Sequence, residues 1–291
     1  MTLEQLRIFV GVAERQHMTS AARALHVTQS AASAAIAALE ARHAVKLFHR
    51  VGRGIVLTEA GQMLLREART LLGHAAAAEA MLAEFDELTR GTLRVVASQT
   101  IAAYWLPRIL TAFHHRYPSL SVELAIGNTE QAAVRVHDGE ADLGIVEGEI
   151  DDPALAHWPI GQDSLMLVQS VPFTETRIDA AWLRSARWVA REQGSGTRST
   201  LDRHLRAFGV DPSVLDVALV LPSNESVRTA VEAGAGVTVL SSLVVAPAVE
   251  AGTLYKAPIE FGPRPFFGLR HKERYRTKAA DALLEMIGAQ R

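Results

Sequence analysis

The sequence predicts an all-α head carrying a winged helix-turn-helix, then one long linker helix, then an α/β region of two lobes. Three observations predict it. Residues 19–53, TSAARALHVTQSAASAAIAALEARHAVKLFHRVGR, hold two short helical segments around a tight turn, followed by a basic hairpin. From Leu64 to Phe85, apolar residues alternate by four and three, the spacing of a heptad seam. Beyond Gly91, short apolar runs alternate with amphipathic segments, which implies a parallel sheet with helices on its faces.

The first element is an amphipathic helix over Leu3–Arg15, with Leu6, Phe9, Val10 and Ala13 on one face. Thr19 is the expected N-cap of a second helix running through Ala21, Ala22, Ala24 and Leu25. Val27 and Thr28 make the turn, and Thr28 caps a third helix through its side-chain oxygen. There Ala32, Ile36 and Leu39 form a buried stripe, which leaves Gln29, Ser30, Ser33, Ala34 and Ala37 outward. A helix apolar inside, small and polar outside, and set on a compact support is what the DNA major groove admits.

Val45, Leu47 and Phe48 are expected to extend this core, and residues 49–57 to form a two-stranded wing with glycines at its tip. Arg50 and Arg53 sit where a wing straddles a phosphate backbone, a contact that positions without specifying sequence. The alternative is a pair of solvated loop arginines. The recognition helix just upstream favours the first reading, and residues 1–66 carry eight Arg/Lys against four Glu, the asymmetry of a polyanion-binding head on a chain of net charge −2.

Thr58 caps the next helix, with Glu59 in its first turn where the macrodipole favours an anion. It is expected to reach about Arg90. Its seam is Leu64, Ala68, Leu71, Ala75, Ala78, Leu82 and Phe85. At ~1.5 Å per residue this helix is about 45 Å long, and a seam of that length calls for a partner chain. Packing of the helix on its own C-terminal region is the alternative.

Past Gly91, strands are expected at 93–97, 120–126, 142–146, 165–169, 188–190, 217–221, 237–240 and 266–270. Helices are expected at 107–117, 130–137, 197–208, 225–233, 241–250 and 277–288. Crossings near residues 158–162 and 261–265 divide the region into lobe I, about 91–161 and 266–291, and lobe II, about 162–265.

In such sheets ligands bind at the carboxyl ends of strands, against helix N-termini. Ser98, Gln99 and Thr100 end the first strand of lobe I, and Asn128 and Thr129 end the second. Gly194-Ser195-Gly196-Thr197-Arg198 opens one helix of lobe II and Ser223-Asn224 another. The GSGTR stretch combines two glycines, two hydroxyls and a fixed charge at a helix start, the chemistry of a seat for a carboxylate, phosphate or sulfur oxyanion. It lacks the ending of a P-loop and the spacing of a dinucleotide fingerprint. Each of these residues is also an ordinary cap candidate.

The chain contains no cysteine, which excludes disulfides, thiol catalysis and Cys-based zinc sites. No HExxH, GxSxG, kinase or Walker pattern is present, so no catalytic residues and no metal are expected. Asp138, Glu140 and Asp142 read as a solvated edge, and His114-His115 as a solvated helix face. Charges at Glu4, Arg7 and Glu14 interrupt the first apolar run, so no signal peptide is expected there, and a cytoplasmic location is.

The head resembles the winged helix-turn-helix of LysR-type transcriptional regulators. The resemblance is carried by LRIFVGVAE, SAARALHVTQSAAS, IAALE, VKLFHR and LTEAG, in that order and without gaps. The α/β region resembles a periplasmic-binding-protein architecture, shared by the effector domain of that family. The resemblance implies domains at 1–58 (DNA binding), 59–90 (linker and dimerisation) and 91–291 (effector binding). It further implies binding of double-stranded promoter DNA at inverted-repeat half-sites through Thr28, Gln29, Ser30, Ser33, Ala34, Arg50, Arg53 and Arg23. A homodimer or homotetramer, a small anionic effector, contact with RNA polymerase and no membrane complete the implied picture. Two positions depart from the family pattern. Ser30 stands where Pro is usual, and Ala34 where Arg or Lys is common, which shifts backbone contact onto Arg50, Arg53 and Arg23. A solute-binding protein without DNA function, and a DNA-binding regulator that needs no effector, are the competing readings.

Overall fold

The computed structural model describes residues 1–52, 54–83, 91–148 and 150–289. Internal contacts divide the chain into a head unit, essentially residues 1–82, and a larger unit beyond it.

The head is built from α1 (Leu3–Arg15), α2 (Met18–Ala24), α3 (Gln29–His43), β1 (Phe48–Val51), β2 (Gly54–Leu57) and α4 (Glu59–Ala83). Thr2 and Gln5 close a capping box at the start of α1, each side chain bonding the other's backbone N–H. α2 begins two residues earlier than expected. The ring of His17, not Thr19, accepts the Ser20 N–H and caps it. The expected stripe of α3 is buried, at Ala32, Ile36 and Leu39, and packs on Leu6, Phe9 and Val12 of α1. Val45 is exposed, whereas Leu47 is buried and Phe48 stacks at 5.6 Å on Phe9. One aliphatic position of the expected core extension is thus not part of it.

The α4 seam divides. Its first turns roof the three-helix bundle, so Leu64 and Ala68 belong to the head's own core and are not free to form a seam. Ala75 is half-buried, Ala78 is exposed, and Leu71 and Leu82 are 43% and 67% exposed. Phe85 lies outside the described residues. Among the described residues no helix is long and apolar enough to cross a membrane.

The larger unit contains β3 (Gly91–Ser98), a π-helical turn (Ile101–Trp105), α5 (Leu106–Arg116), β4 (Leu120–Gly127), α6 (Thr129–Asp138), β5 (Leu143–Glu147) and β6 (Leu155–Gln169). α7 (Ala180–Ser185), β7 (Arg187–Arg191), α8 (Gly196–Ala207), β8 (Asp216–Leu221), α9 (Asn224–Glu232), β9 (Thr238–Ser241) and α10 (Ser242–Glu250) come next. β10 (Tyr255–Lys256), β11 (Pro263–His271) and α11 (Lys278–Gly288) complete it.

The expected parallel pairs are present, β3 with β4 and β5, and β7 with β8. The sheet as a whole is mixed, because β11 runs antiparallel to both β5 and β6. The two crossings are not loops. β6 is one strand of 15 residues, pairing with β11 along its first half and with β9 and β10 along its second. Interior prolines such as Pro159 and Pro265 argue from sequence for breaks, but the pairing carries both strands through, with a shift of register between Phe266 and Phe267 opposite Pro159 and Gly161. The lobes are therefore joined by a double-stranded β hinge. Separate cores fill them, one around Phe113, Ile145 and Phe266, another around Trp188, Leu201 and Val239.

Candidate functional sites: the helix-turn-helix face and the interlobe cleft

In the head, Thr28 accepts the Ala31 N–H at 3.1 Å and meets the Ser30 hydroxyl at 3.0 Å. Capping thus fixes where α3 starts and therefore which residues face outward. Gln29, Ser30, Ser33, Ala34 and Ala37 are all exposed. Gln29 and Ser33 line a groove of about 640 Å³ together with Lys46 and Arg50. Arg23, in the last turn of α2, and Ala34 are exposed but do not line this groove. Arg53 lies outside the described residues. Gly52, at φ +59°, takes the left-handed turn at the tip of the wing.

The wing is bolted to α3 by Glu40. Its carboxylate accepts the backbone N–H of Leu47 at 2.9 Å and of Phe48 at 3.4 Å, and the Lys46 ammonium at 2.6 Å. Burial pushes this carboxyl up, but Lys46 and the two amides outweigh it and leave it below its ordinary value. Gly61 closes the other side: a Cβ there would sit 2.2 Å from the Leu47 carbonyl. Lys46 and Glu40 were not singled out from sequence. Their signal is an acid in the last turns of a helix, six residues before a lysine in the connection to the next strand.

In the larger unit the hydroxyls and amides named from sequence are already bonded to protein, and three of them, Gln99, Thr100 and Asn224, to one another. Across the cleft, Asn224 at the head of α9 donates its N–H to Gln99 Oε1 at 2.7 Å and its side-chain amide to Thr100 at 2.9 Å. Gln99 Nε2 and the Tyr104 hydroxyl hold Glu225 at 2.9 and 3.0 Å. Burial and then the Glu225 carboxylate push the Tyr104 phenol up. Asn128 reaches lobe II, donating to Glu192 at 3.3 Å. Thr129 packs against Gly196 of lobe II, but its hydroxyl donates to the Glu147 carbonyl of its own lobe at 2.5 Å. Ser223 is a cap in the ordinary sense, accepting the Ser226 N–H at 3.0 Å.

The GSGTR stretch differs from its expected form in one respect. Ser195 occupies the N-cap position of α8, is buried, and gives no side-chain cap. Gly196 lies against the end of β5, where a Cβ would be 1.8 Å from the Glu147 carbonyl, so no other residue fits without the lobes separating. Thr197 is buried and accepts a hydrogen bond from Arg264 at 2.9 Å. Arg198, however, turns along its own helix to Asp202 at 2.9 Å. The fixed charge at the seat is instead Arg264, only 1% exposed, forked onto Asp163 at 2.7 and 2.5 Å and 3.4 Å from Glu147. The i, i+4 acid explains Arg198, because a neighbour on the same helix face needs no loop closure to be reached.

Burial alone would lower the Arg264 guanidinium, but the carboxylates of Glu147 and Asp163 raise it above its ordinary value. Arg191 is a second buried cation, held by Glu192 at 2.8 Å and by the Asn224 side chain. Sequence reasoning missed Glu147, Asp163, Arg191 and Arg264. Two of them, Glu147 and Arg191, end apolar strand runs, where a charge at the carboxyl end is the available signal.

The matches to known proteins respect this division. Residues 3–62 match the bacterial regulatory helix-turn-helix protein, lysR family, and residues 86–291 match the LysR substrate binding domain. The chain belongs to the LysR family. It is a LysR-type, DNA-binding transcriptional regulator with an effector-binding domain. Over 293 residues it is 32% identical to the "Uncharacterized HTH-type transcriptional regulator YeiE" of Escherichia coli K12, covering 98% of this chain and 96% of that one. It is also 32% identical over 294 residues to a "Probable RuBisCO transcriptional regulator" of Cyanophora paradoxa, covering 98% and 91%. Among solved structures, full-length CbnR complexed with its target DNA superposes with a TM-score of 0.69 at 22% identity, covering 100% of both chains. The Synechocystis PCC6803 CcmR regulatory domain in complex with 2-PG gives 0.63 at 25% identity, covering 69% of this chain and 97% of that one.

Proposed function

We propose that this LysR-family regulator reads promoter DNA with Gln29, Ser30 and Ser33 of α3 while Arg50 and Lys46 hold the phosphate backbone, and that a small anion in the interlobe cleft controls it. The observation that carries the DNA half is the groove shared by Gln29, Ser33 and Arg50 on a support whose other face is buried. Glutamine pairs with adenine in the major groove, and the wing arginine positions the helix without choosing the sequence. One such face is plain: two serines, a glutamine and alanines. Two heads acting together are needed for useful affinity, and the exposed Leu71, Met81 and Leu82 of α4 give a second copy something to cover. Exposed Ile126 on the edge strand β4 and Val134 on the following helix α6, and Leu219 and Val220 on the edge strand β8, support further association into a tetramer.

The anionic class is supported by two buried guanidinium groups, by two helices whose first turns open on the cleft, and by the 2-PG bound to the related CcmR domain. A ligand there shifts the population of lobe arrangements by its difference in affinity for them, and so the promoter response. Such a protein works in the cytoplasm and regulates rather than catalyses.

The DNA half is tested by mobility shift on a fragment from the gene's own upstream region. Wild type binds, and the Gln29→Ala, Ser33→Ala double variant loses the shift; an unchanged shift refutes the assignment. The effector half is tested by the melting temperature of the full chain in a panel of carboxylates, phosphates and sulfur oxyanions. A rise that Ser98→Ala abolishes supports it, and no rise from any member refutes it.

A further inference from the structure

The interlobe cleft, proposed to take an anion, already contains one. Glu147 ends β5 and is 2% exposed. Its side chain takes the Ser98 hydroxyl with one oxygen and faces Arg264 Nη1 at 3.4 Å with the other. Those are the groups a bound oxyanion would use: a strand-end hydroxyl from lobe I and the one guanidinium that also donates to Thr197 of the α8 seat. Arg264 is at the same time neutralised by Asp163, whose carboxylate it grips with two N–H groups and which also accepts the Ser241 hydroxyl at 2.5 Å. The charged groups around Glu147 are therefore Arg264 from β11 and, through it, Asp163 from β6. With both acids ionised this buried trio carries one net negative charge.

An anion cannot simply join that trio. In a poorly solvated interior two like charges in contact repel strongly enough to cancel the gain from a good charge-assisted hydrogen bond. Entry requires that the Glu147 side chain give up its place on Ser98 and Arg264. We propose that Glu147 is a tethered competitor of the effector, occupying Ser98 and Arg264 in the unliganded closed cleft and giving them up to a small oxyanion. This rests on the anionic reading of the cleft and adds a mechanism to it. The backbone of Glu147 is well placed for the readout, because its carbonyl touches both Thr129 and the Gly196 start of α8. Expulsion of the side chain thus acts on the residue at which the two lobes meet.

The consequence is a competition that mutation removes. The test titrates sulfate and acetate into full-length wild type, Glu147→Gln, Glu147→Ala and Ser98→Ala, following melting temperature and heat of binding at constant ionic strength. Glutamine keeps the acceptor oxygen and the shape but leaves the trio neutral, and alanine removes the group altogether. Both are expected to bind sulfate at least about tenfold tighter than wild type. Sulfate stays dianionic through the neutral range, so its own titration does not intrude.

Binding that Ser98→Ala leaves untouched is assigned to the basic head and counts against the proposal. Equal, Ser98-dependent affinity in wild type and both Glu147 variants overturns the competitor and leaves the anionic cleft standing. Failure of sulfate and acetate to bind any of the proteins in a Ser98-dependent way removes both. Methylammonium binding that is lost in Glu147→Gln also overturns it, since Glu147 would then be the counter-ion of a cationic ligand.

Discussion

The helix-turn-helix face and the interlobe cleft solve opposite problems with similar side chains. On α3, Gln29, Ser30 and Ser33 are exposed, and the helix beneath them is fixed by Ala32, Ile36 and Leu39. In the cleft, Ser98, Thr100, Thr197 and Asn224 are buried and already bonded to protein. That contrast sets what a ligand must do at each place. DNA meets a surface in which water is the only competitor, so recognition adds contacts. A small molecule meets a network that is satisfied without it, so recognition must exchange contacts, and the exchange is what can be felt by the lobes.

The contrast is tested most severely by removing the cation at the centre of the cleft. Arg264→Met leaves the Asp163 and Glu147 carboxylates buried and uncompensated. Losing one partner of such a buried network costs about 3–5 kcal/mol. Urea unfolding followed by Trp fluorescence should show that loss in the larger unit, where all four tryptophans lie. A loss below about 1 kcal/mol would mean that the trio is hydrated, and the contrast with the exposed face would fall.

The converse holds on the head. Gln29→Ala removes an exposed side chain, so stability should change by no more than about 0.5 kcal/mol. Affinity for the specific site should nevertheless fall by the ~1–3 kcal/mol of one bidentate base contact. Mobility-shift titration against melting temperature separates the two quantities. A variant that loses stability and affinity in parallel would make Gln29 part of the scaffold and not a base-reading residue.

How much of each region was legible in the sequence comes down to the same contrast. The head's organisation was legible because it is local. Thr28 caps the helix that starts at the next residue, and Ala32, Ile36 and Leu39 share a face by helical period alone. Even so, the cap at His17 was missed, because an imidazole is not a usual N-cap, and Val45 was misplaced, because a single apolar residue beside a turn has no period to locate it. In the larger unit the strand-end hydroxyls were found by their position before helices. Their partners were not. Arg264 meets Glu147 and Asp163 from 117 and 101 residues away in sequence, a pairing set by the registers of β11 with β5 and β6 rather than by any local pattern. The sequence placed the charge on Arg198, and the neighbouring Asp202 claimed it.

Glu40 tests whether the head's readiness depends on its wing. Glu40→Gln keeps an acceptor but loses the ion pair with Lys46 and weakens the two backbone bonds, a cost of about 1 kcal/mol. The carboxyl is held below its ordinary value in the folded head. Its contribution is therefore present above the ordinary carboxylate range and is lost as pH falls through its lowered folded value. Acid titration of thermal stability should show wild type and Glu40→Gln converging at low pH. Parallel curves would mean that the Glu40 charge does nothing for the fold.

A salt series separates positioning from reading within one groove, through a difference of about one counterion. Arg50 on β1 is exposed and lines the same groove as Gln29. If it touches phosphate, Arg50→Ala should weaken specific and unrelated DNA alike, and lower the slope of log affinity against log salt by about one. Gln29→Ala should leave that slope alone, because an amide releases no counterion. Measuring both variants on both DNAs distinguishes the roles without reference to absolute affinity. With Ala34 offering no cation on α3 itself, the slope also reports how much of the phosphate contact the wing must carry. A change in slope for Gln29→Ala, or none for Arg50→Ala, would reverse the two assignments.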